Sequence, residues 1–296
     1  MTSPTNPTQK SRKPDWFKVQ ANAGEANEAV IRLIRSLNLH TVCEEANCPN
    51  AGECFSNKTA TFMLLGSQCT RNCTFCAVGK GFPEMPDPDE PARLAEAIAQ
   101  LKLRHVVLTT VTRDDLPDGG ASHFVAVIAA IRDKIPENTP AIEVLISDLQ
   151  GNWDALQQII DARPQVINHN VETVPRLYPE VRPEADFARS VDLLRRVNVQ
   201  NPDILTKSGI MVGLGETPSE VLEVLKSLRE AGCKLLTIGQ YLAPSSKHHP
   251  VVEYIHPDQF LAYKKAGEAM GFAHVASGPL VRSSYHAGEA LDHTRH

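Results

Sequence analysis

Short apolar runs alternate with amphipathic stretches between residues 60 and 270 of the chain. Each run has the length of a buried strand, and each following stretch carries apolar residues at helical spacing. The predicted strands are 61–66, 105–111, 141–147, 165–171, 204–213 and 234–242, and the predicted helices are 24–38, 90–102, 120–135, 152–162, 184–197, 217–231 and 257–270. Buried strands that alternate with helices indicate a parallel sheet covered by helices.

Two architectures have this alternation, a (β/α)8 barrel that lacks two units and a doubly wound open sheet. Polar residues follow the end of every predicted strand, as expected where one site is built at the carboxyl ends of barrel strands. We therefore predict a partial (β/α)6 barrel. The predicted divisions are a flexible tail over 1–14, an N-terminal extension over 15–59, the barrel over 60–272 and a C-terminal extension over 273–296.

The composition is that of a globular protein with a substantial core. The chain has 296 residues, of which 42% are hydrophobic and 22% are charged, and its formal net charge is -5. No run of Lys or Arg favours a nucleic-acid or membrane partner. The first residues are polar and Pro-rich rather than a signal peptide, and no segment has the ~20 apolar residues of a membrane span. We expect a cytoplasmic protein.

Six of the seven cysteines lie between residues 43 and 76, and the remaining one is Cys233. A disulfide scaffold is usually short and secreted, with cysteines spread over the fold. The clustering favours metal ligation instead. Cys233 follows a predicted helix and is interpreted as a buried structural thiol.

The stretch 69-CTRNCTFC-76 places Cys69, Cys73 and Cys76 at the spacing C-x3-C-x2-C. A [4Fe–4S] cluster normally has four thiolates, so three on one loop would leave one iron open to a small molecule. A three-cysteine zinc site completed by His, or thiols that ligate nothing, are the alternatives.

The spacing, with the aromatic Phe75 before the last cysteine and a position after the first β/α strand, resembles the radical S-adenosylmethionine superfamily. The resemblance implies that S-adenosylmethionine chelates the open iron and is cleaved reductively. It also implies that the turn Asp118-Gly119-Gly120 holds the methionine amino group and that 209–216 lines the adenine.

A second trio, Cys43, Cys48 and Cys54, has the spacing C-x4-C-x5-C, and 282-RSSY-285 lies near the C-terminus. Together with 109–124, 168–173, 206–216 and 240–251, these motifs are similar to the lipoyl synthase family. The resemblance implies a first [4Fe–4S] cluster on Cys69, Cys73 and Cys76. It implies an auxiliary [4Fe–4S] cluster on the second trio, with Ser284 favoured over Ser283 as its further ligand.

The resemblance implies insertion of two sulfur atoms, at C6 and C8 of an octanoyl chain. The chain would be carried on a lipoyl domain, either the E2 component of a 2-oxoacid dehydrogenase or the glycine cleavage H protein. Ferredoxin or flavodoxin would supply the electrons. The alternatives are another sulfur-inserting radical enzyme, such as one resembling biotin synthase, and an iron–sulfur electron-transfer protein without catalysis.

Further polar residues near strand ends are candidates to bind S-adenosylmethionine. An ordinary helix-cap or surface role is the alternative for each. The candidates are Thr110, Asn170, Glu172, Arg189, Lys207 and Met211, the last as part of the expected adenine lining.

Overall fold

The computed structural model describes residues 13–17, 25–42, 50–284 and 287–292. Single 3-10 turns form at Asp15–Phe17, Leu149–Gly151 and Pro175–Leu177. The α-helices are α1 Glu25–Ser36, α2 Ala51–Ser56, α3 Glu90–Leu101, α4 Ala121–Lys134, α5 Trp153–Asp161, α6 Tyr178–Val181, α7 Phe187–Gln200, α8 Pro218–Glu230, α9 Pro257–Met270 and α10 Ala287–Asp292. None of the helices in these ranges is long and apolar enough to cross a membrane.

The strands form one large sheet and one small one. They are β1 His40–Thr41, β2 Thr59–Leu64, β3 Gln68–Cys69, β4 Gly79–Lys80, β5 His105–Thr110, β6 Ala141–Leu145, β7 Val166–Asn168, β8 Leu205–Val212, β9 Leu235–Gln240 and β10 His274–Gly278. The large sheet has the order β1-β2-β5-β6-β7-β8-β9-β10, and β3 pairs with β4 in the small one. Only β1 is antiparallel to its neighbour in the large sheet.

The predicted α/β fold with a mostly parallel sheet is confirmed, and every predicted strand and helix is present. The structure adds a parallel strand, β10, that the hydrophobic pattern did not predict. Only Val275 is fully buried in its HVASG sequence, so the strand lacks a continuous apolar run. It belongs to the segment predicted as a C-terminal extension, which therefore contributes to the sheet.

The two faces of the sheet differ in chemistry. On one face Phe62 and Leu64 of β2 join a single apolar core with the helices. On the other face the alternating positions are more polar, because side chains on a strand point to opposite sides in turn. This inner face carries the buried residues Thr61, Glu143 and Lys207.

The C-terminal helix α10 covers the amino ends of the strands. Leu291 packs with Val166 and Leu235, the first residues of β7 and β9, against Ala141 and Leu205 at the starts of β6 and β8. The amino ends of the sheet are thereby covered, while polar side chains collect at the opposite, carboxyl ends.

Helix caps explain several turns at that carboxyl edge. Asn152 and Asp186 accept backbone N–H bonds at the starts of α5 and α7. At α8, Thr217 and Glu220 form a reciprocal capping box. Such caps satisfy the free N–H groups of a first helical turn and so fix where each strand-to-helix loop ends.

Candidate functional site

The cysteine loop 69–76 lies at the carboxyl ends of the large sheet. Its three thiols line one cavity of about 190 Å³ together with side chains at or just after the ends of β5, β6 and β7. The lining from those strands includes Thr109, Thr110, Leu145, Ser147, His169, Asn170 and Glu172. The loop and the predicted rim residues therefore lie together, as expected for groups at the carboxyl ends of parallel strands.

Backbone hydrogen bonds hold the loop on both sides. Thr70 N donates to Thr112 O at 3.1 Å, and Thr74 N donates to Val181 O at 2.9 Å. A later segment covers the loop, because His249 N donates to Thr74 O at 2.9 Å. The cysteine loop is therefore tied to the β5 end, to α6 and to the segment after β9.

The neighbouring His248 also serves this covering segment. Its Nε2 donates to Cys76 O at 3.2 Å, and Nε2 of His249 donates to Leu214 O at 3.2 Å. Both histidines donate to backbone carbonyl groups, so they tie the covering segment to the cysteine loop and to the end of β8.

A cluster of charged side chains, largely buried, anchors the cysteine loop through Arg71. Arg71 donates to Asp114 at 2.6 and 3.0 Å and to Asp148 at 2.6 Å. Arg189 donates to the other oxygen of Asp148 at 2.8 Å. Burial alone would raise the pKa of Asp148, but the bonds from Arg71 outweigh it and lower this pKa to about 2. Asp148 therefore stays ionised and links the cysteine loop to β6 and α7.

The thiols themselves fit a cationic cofactor. Burial raises the pKa of Cys73 to about 11, against the opposing effect of Arg182, and burial also raises the pKa of Cys76. Buried thiols become thiolates when a metal centre supplies the compensating positive charge. In the described ranges no three His, Cys, Asp or Glu side chains form a ready single-ion site.

A second cavity of about 340 Å³ adjoins the first. Phe75, Cys76, Asn170 and Glu172 line both, so the two form one continuous site. The rest of the lining is largely apolar and comes from β2, β5, β8 and β9 and from the C-terminal loop. It includes Met63, Val111, Ile210, Met211, Tyr241, Leu242 and Val281.

Four of the six residues predicted to bind S-adenosylmethionine lie in this site, namely Thr110, Asn170, Glu172 and Met211. The other two line neither cavity. Lys207 is buried on the inner face of the sheet and donates to Glu143 at 2.9 and 3.2 Å, and Arg189 is engaged by Asp148.

Asn170 and Glu172 each place an oxygen-bearing group in the site. The buried Oδ1 of Asn170 has no hydrogen-bond partner. Burial raises the pKa of Glu172, although Arg182 acts in the opposite direction. Glu172 also has a left-handed backbone, with φ of 64°, and its N–H donates to Gly209 O at 3.0 Å. A free acceptor and a carboxyl group side by side suit a ligand that carries hydroxyl or ammonium donors.

Sequence reasoning missed Arg182, which lines the first cavity. Its Nη1 donates to Asn170 O at 2.9 Å, its guanidinium lies over the Tyr178 ring at 5.2 Å, and its buried Nε has no partner. Arg182 lies between α6 and α7. The sequence prediction considered polar residues that follow strands, so it did not include this residue.

The turn that the resemblance assigns to the methionine amino group lies outside both cavities. None of Asp118, Gly119 and Gly120 lines either cavity. The Asp118 carboxylate accepts N–H bonds from Gly120 and Ser122 at 3.0 and 2.7 Å and starts α4. By contrast, Gly209, Ile210 and Met211 do line the site, as expected for the adenine-lining segment.

One cysteine of the second trio lies among the described residues. Cys43 and Cys48 lie outside the described residues, whereas Cys54 is half-buried on α2. In the RSSY motif Ser283 lines the second cavity, and the half-buried Ser284 does not.

Comparison with known proteins defines the class. Residues 63–239 match the family model described as the Radical SAM superfamily, and these residues contain the cysteine loop and most of the sheet. Residues 3–48 match a model described as the N-terminal domain of lipoyl synthase of the Radical SAM family. The chain therefore has the fold of a radical S-adenosylmethionine protein and belongs to that superfamily.

Relatives of similar length identify the family more narrowly. The lipoyl synthase of Caldanaerobacter subterraneus subsp. tengcongensis is 57% identical over 284 residues, 96% of this chain and 99% of that protein. The lipoyl synthase of Alkaliphilus metalliredigens is 54% identical over 95% of this chain and 96% of its own length. The chain belongs to the lipoyl synthase family.

Solved structures support the fold. Methylornithine synthase has a TM-score of 0.52 at 14% identity, with 77% of this chain and 71% of that chain covered. SuiB of Streptococcus suis bound to its precursor peptide has a TM-score of 0.56 at 9% identity, with 88% of this chain and 54% of that chain covered.

Proposed function

We propose that this chain inserts two sulfur atoms, at C6 and C8, into an octanoyl chain attached to a carrier protein. The observation that carries the proposal is the near full-length identity to lipoyl synthases together with a three-cysteine loop that opens onto an apolar chamber. The carrier is a lipoyl domain of a 2-oxoacid dehydrogenase E2 component or the glycine cleavage H protein, and ferredoxin or flavodoxin supplies the electrons.

The described residues divide into a polar and an apolar half. Cys69, Cys73 and Cys76 hold the [4Fe–4S] cluster of the superfamily. Bound there, the cluster and S-adenosylmethionine supply a primary alkyl radical, which can open C–H bonds that acid–base chemistry cannot. Asn170 and Glu172 offer the acceptor and carboxyl group to the hydroxyl and ammonium groups of that ligand.

The apolar half takes the octanoyl chain. Val111, Ile210 and Met211 line the second cavity next to Cys76. Their side chains exclude water and hold an alkyl chain beside the ligand, so that the carbon to be attacked lies close to the reactive group.

An auxiliary [4Fe–4S] cluster on Cys43, Cys48 and Cys54 is the source of the sulfur. A serine of the RSSY motif completes its ligands, and an oxygen ligand is harder and binds iron less well than a thiolate does. A serine ligand would therefore hold its iron more weakly than the three cysteines hold theirs. The family pattern favours Ser284, while the position of Ser283 in the lining of the second cavity supports Ser283.

The test separates the two trios by their products. The wild-type chain and a variant with Cys43, Cys48 and Cys54 replaced by Ala are reconstituted without oxygen and supplied with an octanoylated peptide. The wild type should hold about eight irons and the variant about four, because each cubane has four irons. Both should form 5′-deoxyadenosine, and only the wild type should give a peptide heavier by two sulfur atoms.

The alternatives give different results. An electron-transfer protein forms no deoxyadenosine with either chain. Lipoyl product from the triple variant would contradict the role of the auxiliary cluster as sulfur donor. Separate Ser283→Ala and Ser284→Ala variants then identify which serine is the cluster ligand. Only replacement of the ligand should change the spectrum of the auxiliary cluster.

A further inference from the structure

Asn50 connects two segments that lie at opposite ends of the chain. It precedes α2 and is buried, with 7% of its surface exposed. Its side-chain Nδ2 donates to Leu280 O at 2.9 Å, across a sequence separation of 230 residues. Asn50 lies between Cys48 and Cys54, and Leu280 lies two residues before the RSSY motif. One hydrogen bond therefore joins both parts of the proposed auxiliary site.

The backbone of Asn50 also contacts the cysteine side of the site. Cys54 N donates to Asn50 O at 3.0 Å in the first turn of α2. The same residue thus holds the backbone of Cys54 with its carbonyl group and the C-terminal loop with its side chain. A shift of Asn50 would change the separation of Cys54 from the serine loop.

The use of this side chain is unusual for its position. Asn at a helix N-cap normally accepts an N–H bond from the first turn of the helix. Asn50 makes no such side-chain bond to α2, and its amide is directed to Leu280 instead. The side-chain amide donor is thus used across the fold, while the side-chain oxygen makes no capping bond to α2.

The C-terminal loop is held closely on its other side. A Cβ atom added at Gly239 would lie 2.3 Å from Val281 O. The loop lies directly on the backbone of β9, so it cannot move in that direction. The bond from Asn50 is a second restraint on the same loop, one residue before Val281.

We infer that Asn50 is a positioning residue that holds the RSSY loop against the start of α2, the helix that carries Cys54. The inference rests on the proposed function, since it assigns the bond to the assembly of the auxiliary site. Loss of the amide donor leaves Leu280 O without its partner, and an Asp in its place puts a second acceptor against that carbonyl. Opening of the loop should increase about tenfold or more, as expected when a buried hydrogen bond is broken on one side only.

The experiment compares three variants of the full chain. Asn50→Asp removes the donor while it keeps the shape of the side chain. Asn50→Ser cannot span the distance to Leu280 but is a good N-cap, so it separates the bridge from any weakening of α2. Asn57→Asp is the matched control, because it makes the same chemical change at the exposed C-terminal end of the same helix.

The first measurement does not depend on activity. Val281 N donates to Gly278 O at 3.1 Å, so hydrogen exchange at this amide reports opening of the loop. Exchange should rise about tenfold or more in Asn50→Asp and Asn50→Ser and stay unchanged in Asn57→Asp. The spectrum of the reduced auxiliary cluster, recorded with Cys69, Cys73 and Cys76 replaced by Ala, should change in the same two variants.

The second measurement uses the reconstituted enzymes. Both Asn50 variants should form deoxyadenosine at the wild-type rate and make at least tenfold less lipoyl product. Wild-type exchange at Val281 in either of them, or an equal effect in Asn57→Asp, would overturn the inference. A wild-type chain that makes no lipoyl product would instead count against the proposed function, and the exchange result would still decide the role of Asn50.

Discussion

Replacement of Lys207 by Met should destabilise the fold rather than impair binding of S-adenosylmethionine. Lys207 and Glu143 form an ion pair on the inner face of the sheet, with 2% and 1% of their side chains exposed. Asn168 Nδ2 also donates to Glu143 at 2.9 Å, and His105 Nε2 lies 3.5 Å from the carboxylate. The variant removes the charge that compensates this carboxylate and leaves it buried.

The structure sets the size of the effect. Removal of one partner from a buried ion pair costs about 3–5 kcal/mol of the free energy of unfolding. Burial alone would raise the pKa of Glu143, but Lys207 and His105 outweigh it and lower this pKa to about 2. Compared with an unfolded pKa near 4.3, this amounts to about 3 kcal/mol of stability at neutral pH.

The sign of the pH dependence provides a second check. In the wild type the contribution of Glu143 is present above pH ~4.3 and is lost as the pH falls towards 2, because the folded pKa is the lower one. In Lys207→Met burial raises the pKa of Glu143, so the folded state takes up a proton more readily than the unfolded state. The difference in stability between the two proteins should therefore be largest at pH 7 and shrink towards pH 3.

Urea unfolding of the cluster-free proteins, followed by circular dichroism under reducing conditions, measures this difference. Lys226→Met on the exposed side of α8 is the control. A double variant, Lys207→Met with Glu143→Leu, should recover much of the loss, since no buried charge remains. Unchanged stability in Lys207→Met, with a KM for S-adenosylmethionine raised tenfold, would refute the structural role and favour the ligand role expected from the sequence.

Two further predictions concern the site directly. Cys76→Ala should abolish deoxyadenosine formation and leave about four irons, since the auxiliary cluster keeps its own ligands; cleavage at the normal rate would show that the loop 69–76 does not hold the radical cluster. Gly239→Ala should displace Val281 and the RSSY loop, because the new methyl group would lie 2.3 Å from Val281 O. Overpacking of this kind costs about 1–3 kcal/mol, which a lower melting temperature and a changed auxiliary-cluster spectrum would report. Gly288→Ala is its control, because the nearest atom there is 3.7 Å away, and equal effects in both would contradict the reasoning.

The sequence alone determined the features that depend on short separations. The spacing of Cys69, Cys73 and Cys76 is local, and so is the period of each strand and helix, because neighbouring residues share one element. Because polar side chains at the ends of parallel strands share one edge of the sheet, the sequence also predicted that Thr110, Asn170 and Glu172 lie at one rim. These residues are close in space because the carboxyl ends of parallel strands meet there.

Only the tertiary structure decided how deep a residue lies and what it contacts across the fold. Lys207 has the same polar character as the rim residues, but as the third residue of β8 it lies below the rim, against Glu143 of another strand. Arg182 reaches the site from between two helices. Asn50 meets Leu280 from the opposite end of the chain. Such contacts join residues that are distant in sequence and share no periodicity, so they exist only once the sheet has brought the segments together.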